Sequence, residues 1–451
     1  MEMINDVVKI INKVLWDYIL LFLLCGTGIF FTFRLRFVQI RKFKEGIKSV
    51  FSCFTLKGDK ADKHGMSSFQ ALATAIAAQV GTGNIAGAAT AIVSGGPGAI
   101  FWMWVSAFFG MATNYSEAIL SQKYRHKEEN GTITGGPVYY IKAAFSGTFG
   151  KICAAFFSIA IILALGFMGN MVQSNSISTS FEKAFGISPV VTGVICALVA
   201  AFVFMGGRAR IASLTEKIVP VMAFLYIIGC LIVIFMCHDN IISSFKLIFV
   251  MAFNPKSVAG GVAGITVKSA MRYGIARGLF SNEAGMGSTP HAHALAKVNH
   301  PTEQGVVAMI GVFIDTFVIL TLTALVIIST GVWNSGVTGA ALAQTAFCSV
   351  FGNFGDIFIA ICMLFFAFST IIGWYFFGET NIKYLFGNKF VKIYAVIVCL
   401  FIAVGAVLHV KLVWDMSDMF NGFMVLPNLI ALLALSNVVK KISNEGEQLD
   451  R

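Results

Sequence analysis

Uninterrupted apolar runs, each long enough to cross a lipid bilayer, recur along the whole chain. A spanning helix needs about 20 predominantly apolar residues, and eleven windows of this kind lie between charged or turn-forming residues. Only 12% of the 451 residues are charged, about half the share usual in soluble domains. Because helices satisfy their own backbone hydrogen bonds in hydrocarbon, the sequence predicts an all-α polytopic membrane protein. Numbered one to eleven, the predicted spans are 14–33, 68–93, 98–121, 151–181, 189–206, 215–237, 258–281, 304–330, 355–378, 391–409 and 413–438.

The positions of lysine and arginine predict the orientation of these spans. If the N-terminus is outside and the C-terminus is cytoplasmic, most of the 33 basic residues fall in inner segments, as the positive-inside rule requires. This count assigns Lys268, Arg272, Arg277 and Lys297 to the inner side. The net charge of +11 would favour a nucleic-acid partner in a soluble protein. Here it fits a multi-pass protein of the cell membrane whose partner is the lipid bilayer, and no nucleic-acid partner is expected.

Patterns that would point to an enzyme or a metalloprotein are weak. The glycines of GTGNIAG are not spaced as in a dinucleotide-binding loop, and no strand precedes them. His291 and His293, with His300 nearby, have no cysteine or carboxylate at ligand spacing, and we expect them to be solvated in a cytoplasmic loop. There is no nucleophile–base or metal-ligand constellation, so we expect neither enzymatic activity nor a resident cofactor.

Span two contains the stretch AAQVGTGNIAGAAT, residues 77–90, in which Gly81 and Gly83 flank Thr82. Glycine in a helix costs about 1 kcal/mol relative to alanine, so this segment is predicted to unwind. Unwound backbone at membrane depth survives only inside protein or beside an aqueous cavity. Its carbonyls can then hold a cation, and the amides that begin the next half-helix can hold a carboxylate. Alternatively, the glycines only allow close helix packing.

Span seven is interrupted in a similar way. The sequence GGVAGITVKSAMRYGIARGLFSNEAGMGSTP contains Gly274, Gly278, Gly285 and Gly287, and the break can fall anywhere from Gly274 to Gly285. Spans two and seven each begin a group of five and run in opposite directions across the membrane. This arrangement is typical of an inverted repeat with a binding site at the bilayer midplane.

These motifs resemble a known family. GTGNIAG, GGPGAIFWMW, GMATNYSEAIL, GGPVYY and SNEAGMGSTPHAHA are similar to the alanine or glycine:cation symporters, a branch of the amino acid–polyamine–organocation superfamily. The resemblance covers nearly the whole chain. It implies a leucine-transporter-type fold, with ten core helices in a five-plus-five inverted repeat and one extra helix, here the N-terminal span. It also implies uptake of small neutral amino acids, alanine and glycine, driven by sodium or protons.

Four regions follow from this organisation. The N-terminal helix and a basic cytoplasmic loop occupy 1–67, the two five-helix repeats occupy 68–237 and 238–438, and a polar cytoplasmic tail occupies 439–451. We expect the tail to be disordered. Within the first repeat, GTITGGPVYYIKAAF is either a short interfacial helix, with Tyr139 and Tyr140 at headgroup level, or a plain loop.

The interrupted spans supply candidate substrate-binding residues. The carboxylate of an amino acid is expected at Thr82, Gly83 and Asn84, and its ammonium group at the carbonyl oxygen of Gln79. On span four, Phe167, Asn170 and Ser174 share one helical face, which is either a ligand wall or a polar packing stripe. Further candidates are Gly278 and Phe280 on span seven, which can supply carbonyls and an apolar contact, and Trp374 on span nine, which with Phe167 would limit the pocket to small side chains.

Sodium is the favoured coupling ion and needs oxygen ligands. The superfamily resemblance implies a sodium site between spans two and nine, and the candidates are the carbonyls of Ala77 and Val80 with the hydroxyls of Ser369 and Thr370. Each hydroxyl could instead bond back to its own helix. Proton coupling is the alternative, with Asp315 or Glu117 as the carrier. Neither carboxylate is expected beside the broken segments, and Glu117 is expected to face the cytoplasm or to pair there with arginine or lysine.

Overall fold

The structure, a computed structural model, describes residues 2–53, 65–128, 131–254, 266–408 and 410–449, and these ranges are almost entirely helical. The first half of the chain contains α1 (Glu2–Val14), α2 (Leu20–Arg34), α3 (Val38–Arg41), α4 (Phe43–Cys53), α5 (Ser68–Gln79), α6 (Ala88–Gly95), α7 (Gly98–Lys123), α8 (Pro137–Ala144), α9 (Gly147–Ile161), α10 (Asn170–Phe185), α11 (Pro189–Met205) and α12 (Gly207–Met236). The second half contains α13 (Ile241–Phe253), α14 (Val267–Asn282), α15 (Pro290–His293), α16 (Pro301–Phe313), α17 (Thr321–Ser329), α18 (Gly339–Phe351), α19 (Asn353–Phe386), α20 (Val391–Gly405), α21 (Val410–Ala434) and α22 (Ser436–Leu449). Strands β1 (His126–Lys127) and β2 (Ile133–Thr134) form an antiparallel pair.

Several of these helices are continuous with their neighbours. π-Helical turns at Leu15–Ile19, Ile162–Gly169 and Ile314–Leu320 join α1 to α2, α9 to α10 and α16 to α17. Within the described ranges, seven helices are long and apolar enough to cross a membrane: Asn5–Arg34, Gly147–Phe185, Gly207–Met236, Pro301–Ser329, Asn353–Phe386, Asn388–Gly405 and Val413–Ala434. The bent pair Ser68–Gln79 and Gly83–Gly95 raises the number to eight if it is counted as one span.

The other three predicted spans coincide with helices that do not meet this length and apolarity test. They are α7, the short apolar helix α11, and α14. The first residues of span seven, 258–265, lie outside the described residues, as does the stretch 54–64 of the basic loop. The count of eleven spans therefore stays a prediction.

Basic residues assigned to the inner side beside span seven lie within α14 instead. Arg277 forms a two-pronged ion pair with Asp418 of α21, at 3.0 and 2.6 Å, and Arg272 pairs with Asp17 at 2.6 Å. Each carboxylate thus neutralises an arginine of α14. The two arginines thus lie in a helix, and the orientation of the chain stays a prediction.

The expectation that the C-terminal tail is disordered was wrong, because tertiary contacts order it. The C-terminal segment is the helix α22, in which Glu447 pairs with Arg41 at 2.7 Å and Ser443 hydrogen-bonds to Tyr115 at 3.1 Å.

The predicted short helix of GTITGGPVYYIKAAF is present as α8. However, Tyr140 is fully buried and donates its hydroxyl to the Oδ1 atom of Asn428 at 2.5 Å.

The packing of these helices brings the interrupted spans together. Helix α7 packs along α16, and α10 packs along α19. Span two, formed by α5 and α6, packs against α14 of span seven. A Cβ atom at Gly95 of α6 would lie 3.1 Å from the Cα atom of Ala270, so glycine permits this close approach. The two interrupted spans are therefore direct neighbours.

Candidate functional site

The predicted interruption of span two is present. Helix α5 ends at Gln79, Val80 is extended with φ −82° and ψ 90°, and the chain re-enters a π-helical turn at Gly83–Gly87 with a bend of 43°. A Cβ atom at Gly81 would lie 2.3 Å from Thr370 Oγ1, and one at Gly83 would lie 2.9 Å from the Cα atom of Ser281. The glycines thus let the unwound backbone contact spans seven and nine directly.

Span seven also loses its helical structure, at the C-terminal limit of the predicted region. Helix α14 ends at Asn282, and Glu283, Gly285 and Gly287 all have positive φ, at 57°, 89° and 77°. Gly278 lies in the intact helix, where the nearest neighbours of an added Cβ atom would be Ser106 and Met103 of α7. The segment 283–289, rather than Gly278, therefore supplies the unwound backbone of span seven.

Asp315 joins the two interrupted spans. Its Oδ1 atom accepts hydrogen bonds from the Asn84 amide at 2.7 Å and from the Ser281 hydroxyl at 3.0 Å, and its Oδ2 atom accepts from Thr316 at 2.9 Å. All four side chains are buried. The expectation that Asp315 lies away from the broken segments was wrong, because sequence separation gave no measure of how span eight crosses spans two and seven.

Glu117 plays a related part at the other break. Its two carboxylate oxygens accept hydrogen bonds from the backbone amides of Gly285 and Gly287, at 3.0 and 2.9 Å, and from the side-chain amide of Asn428 at 2.6 Å. The carboxylate thus binds to unwound backbone instead of facing the cytoplasm or pairing with arginine or lysine. Free backbone amides at positive-φ glycines form a ready anion site, and this explains why the Glu117 carboxylate lies there.

Three of the four candidate sodium ligands come together. Thr370 donates its hydroxyl to the carbonyl of Ala77 at 2.9 Å, and the hydroxyl of Ser369 lies 3.4 Å from the same oxygen. Both hydroxyls also contact the Phe366 carbonyl of their own helix, at 3.0 and 2.9 Å. Among the hydrogen bonds of the described residues, none joins Val80 to either hydroxyl.

The candidate substrate residues of span two are partly engaged within the protein. Gln79 donates its amide to the carbonyl of Asn282 at 2.8 Å. Asn84 accepts from the amide of Gly81 at 3.0 Å while it donates to Asp315. The hydroxyl of Thr82, in contrast, is buried and has no hydrogen-bond partner among the described residues. Asn84 therefore shapes the break, and Thr82 keeps a free polar atom.

Gln173 of span four is a site residue that the sequence reasoning missed. Its Oε1 atom accepts from the backbone amide of Thr82 at 3.2 Å, and its Nε2 atom is buried without a partner in the described part of the chain. The Oδ1 atom of Asn170, one helical turn earlier, is likewise unpartnered. The spacing of three residues from Asn170 places both amides on one face of the helix, and this was the available signal.

Phe167 and Ser174 face a different neighbour. The ring of Phe167 stacks on Phe401 with a centroid distance of 4.7 Å, and Ser174 donates to the carbonyl of Ile402 at 2.7 Å. Both partners belong to α20. This face of span four therefore packs against span ten, which is the packing-stripe alternative.

Trp374 lies against span seven. Its ring meets Phe280 edge-on at a centroid distance of 5.8 Å, and its indole nitrogen donates to the carboxylate of Glu283 at 2.5 Å. The other oxygen of Glu283 accepts from Ser288 at 2.7 Å. Glu283, fully buried, was not singled out from the sequence, although an acidic residue within a mainly apolar segment is the usual sign of a functional group.

The histidines after the break are buried, not solvated. His291 stacks against Phe157 and Phe377, and His293 lies 2.7 Å from the Gln304 amide. Burial lowers the pKa of His291 to about 4 and that of His293 to about 3. Both imidazoles are therefore neutral near pH 7. The described residues contain no group of three or more histidine, cysteine, aspartate or glutamate side chains that could hold a metal ion.

A broken membrane helix and a second helix that ends in unwound backbone, meeting at a buried polar centre, are typical of secondary transporters. The whole chain agrees with that class, because residues 1–449 match the family described as the sodium:alanine symporter family. The protein belongs to this family.

Curated relatives agree with this family, and a solved structure has a similar fold. The chain is 43% identical to the sodium/alanine symporter AgcS of Methanococcus maripaludis, over 96% of this chain and 95% of the relative. It is 42% identical to the probable sodium/glutamine symporter GlnT of Bacillus subtilis, over 97% of this chain and 90% of the relative. Its fold is similar to that of MhsT in complex with L-phenylalanine, with a TM-score of 0.57, 12% identity, and coverage of 85% of this chain and 99% of that one.

Proposed function

We propose that this protein imports alanine and glycine together with sodium by alternating access. The observation that carries the proposal is the contact between the interrupted spans, where Gly83 lies against Ser281 in a buried polar centre. Freed backbone groups at such a centre can bind both a zwitterion and a cation. The family and the relative from M. maripaludis, which is named a sodium/alanine symporter, support alanine and sodium. The bulky Phe280 and Trp374 beside the breaks favour a small side chain.

The proposed architecture has eleven spans, with five-helix repeats at 68–237 and 238–438. Three features support the repeat. The breaks fall in the first helix of each group. The contacts of α7 with α16 and of α10 with α19 join helices in equivalent positions. Glu117 on span three and Asp315 on span eight, also equivalent, each bind an interrupted span of the other repeat. The N-terminus is outside in this proposal, and the tail at 439–451 is cytoplasmic.

The substrate site lies between spans two, four, seven and nine. The substrate carboxylate accepts hydrogen bonds from the Thr82 hydroxyl and the Gln173 Nε2 atom, both without partners among the described residues. It also accepts from backbone amides near Gly83. Buried polar atoms without partners call for a ligand or water. Asn170 contributes its unpartnered Oδ1 atom as a hydrogen-bond acceptor for the substrate. The carbonyl oxygen of Gln79 accepts a hydrogen bond from the substrate ammonium group. Phe280 and Trp374 enclose the side chain. Gly278 and Phe167 are left out, because they pack against spans three and ten.

The sodium site lies between spans two and nine. Its ligands are the Ala77 carbonyl and the hydroxyls of Ser369 and Thr370, with the Val80 carbonyl joining them when the ion binds. Hard cations prefer oxygen ligands of this kind. Because Gly81 follows Val80 and touches Thr370, the sodium site and the substrate site share one unwound segment, and this provides the coupling.

Proton-coupled transport is the second candidate. It is favoured by one observation, the hydrogen bonds that Asp315 and Glu117 make with the interrupted spans. Protonation of either carboxylate would remove a hydrogen-bond acceptor and so change its hydrogen bonds with the interrupted span. Sodium is preferred, since neutral oxygens already converge at Ala77.

Uptake by purified protein in proteoliposomes distinguishes these readings. Labelled alanine is supplied with an inward sodium gradient, an inward proton gradient or neither, at a clamped membrane potential. We expect accumulation with sodium alone, and competition by unlabelled alanine and glycine. Accumulation only with the proton gradient favours the second candidate. Stronger competition by glutamine than by alanine contradicts the proposed substrate, and flux without accumulation contradicts symport.

A further inference from the structure

Glu283 occupies a position where a side chain of its kind is costly. It directly follows the last residue of α14 and has φ 57°, the left-handed conformation in which glycine is the usual residue after a helix. Its carboxylate is also fully buried, which is unfavourable without strong hydrogen bonds. Glycine would avoid both costs, so the side chain of Glu283 must contribute something that glycine cannot.

The hydrogen bonds of Glu283 identify that contribution. One oxygen accepts from the indole nitrogen of Trp374 and the other from the hydroxyl of Ser288. Tryptophan has one polar hydrogen, and in a fully buried ring it needs an acceptor. Glu283 therefore fixes both the position and the rotation of the Trp374 ring.

The other contacts of Trp374 are apolar. Phe280 meets the ring edge-on, and a Cβ atom at Gly169 would lie 2.5 Å from its Cζ3 atom, so the ring rests against the backbone of span four. These contacts restrict the ring, and Phe280 is itself packed on Trp414, at a centroid distance of 5.0 Å. The bond to Glu283 is the one contact in this set that specifies a single orientation.

We propose that Glu283 determines the upper size limit of the transported side chain by holding Trp374 as a fixed wall of the pocket. This inference rests on the proposed function, in which Trp374 encloses the substrate. Glu283 is a positioning residue here, since it acts on the substrate through Trp374. Without its carboxylate the indole can turn away, and longer neutral side chains gain space.

The test compares the size ranking of competitors in sodium-driven alanine uptake by proteoliposomes. Glu283→Gly removes the side chain while suiting the backbone conformation, so the variant is expected to fold. Glu283→Gln retains an oxygen that can accept from Trp374. Glu379→Gln is a matched control, because Glu379 is a buried carboxylate of the same helix as Trp374 that pairs with Lys383 instead. The competitors are glycine, alanine, glutamine and leucine.

For Glu283→Gly we expect leucine and glutamine to gain about tenfold in potency relative to alanine, the size of effect that loss of one buried hydrogen bond gives. Glu283→Gln should restore most of the original ranking, and Glu379→Gln should leave it unchanged. The original ranking in an active Glu283→Gly variant overturns the inference. If that variant is inactive, the test uses Ser288→Ala, which removes the second hydrogen bond of Glu283. The competitor ranking must then shift in the same direction, and an unchanged ranking overturns the inference. Absence of sodium-driven alanine uptake by the unmodified protein contradicts the proposed function instead.

Discussion

The hydroxyl of Thr370 lies 2.9 Å from the carbonyl oxygen of Ala77, in the last helical turn before span two unwinds. Span nine is thereby attached to the same segment whose next residues lie against Ser281 and Gln173. Any ion that replaces this hydrogen bond acts directly on the backbone proposed to hold the substrate.

Thr370→Ala removes a proposed sodium ligand. We expect the sodium concentration for half-maximal alanine uptake to rise about tenfold, equivalent to roughly 1.4 kcal/mol of ion binding. The matched control is Thr380→Ala on the same helix, whose hydroxyl bonds only to the Phe376 carbonyl of its own helix among the described hydrogen bonds. Equal sodium dependence in the two variants would remove Thr370 from the site.

Gly81→Ala tests the close approach of the break to span nine. The added Cβ atom would lie 2.3 Å from Thr370 Oγ1, so the segment must shift, at a cost of about 1–3 kcal/mol. We expect sodium-driven uptake to be lost while the protein still reaches the membrane. Gly26→Ala is the control, because no heavy atom lies within 4 Å of the new methyl group. Normal sodium dependence in Gly81→Ala would show that the break does not need this contact.

Gln173→Ala removes the amide that faces the break. Its unpartnered Nε2 atom is a proposed donor to the substrate carboxylate, so the apparent affinity for alanine should fall about tenfold, as for loss of a hydrogen bond to a charged group. Ser176→Ala on the same helix, whose hydroxyl bonds to the Val172 carbonyl, should bind alanine normally. Binding of labelled alanine in nanodiscs measures both, and equal affinities would leave Gln173 with a structural role alone.

Glu117→Gln replaces an acceptor of three hydrogen bonds with a group that has one acceptor oxygen. An NH₂ group would then face backbone amides or the Asn428 amide, and we expect a loss of roughly 1–3 kcal/mol in stability. The thermal midpoint of the purified protein should fall, and Asn428→Leu should have less effect in the Glu117→Gln background than alone. Glu182→Gln, at an exposed site, is the control. An unchanged midpoint in Glu117→Gln would mean that the segment 283–289 is held by other contacts.

The sequence predicts that spans two and seven break, but not which side chains bind the unwound backbone. Gly81 and Gly83 inside an apolar run predicted either an unwound segment or close helix packing, and the bend lies where the first of these places it. In span seven the many glycines spread the predicted break over a whole helix. The end at Asn282 depends on tertiary contacts of Gly285 and Gly287 with Glu117, which no local pattern contains.

Side-chain partners were the least predictable part of the site. Helical spacing grouped Phe167 with Asn170, but it does not say which neighbour each residue meets, and Phe167 packs against span ten. Asp315 and Glu117 were recognised as unusual in a membrane helix. Their positions beside the breaks follow from how spans three and eight cross the interrupted helices, and this required the fold.

The most direct test of the shared segment is the thermodynamic linkage between sodium and alanine. The dissociation constant for alanine is measured in nanodiscs across a range of sodium concentrations, and that for sodium across a range of alanine concentrations, at constant ionic strength and pH. We predict that each ligand tightens the binding of the other by the same factor, of about 5 to 150, and that Thr370→Ala reduces this factor in both directions. An affinity for alanine that does not change with sodium would contradict the account.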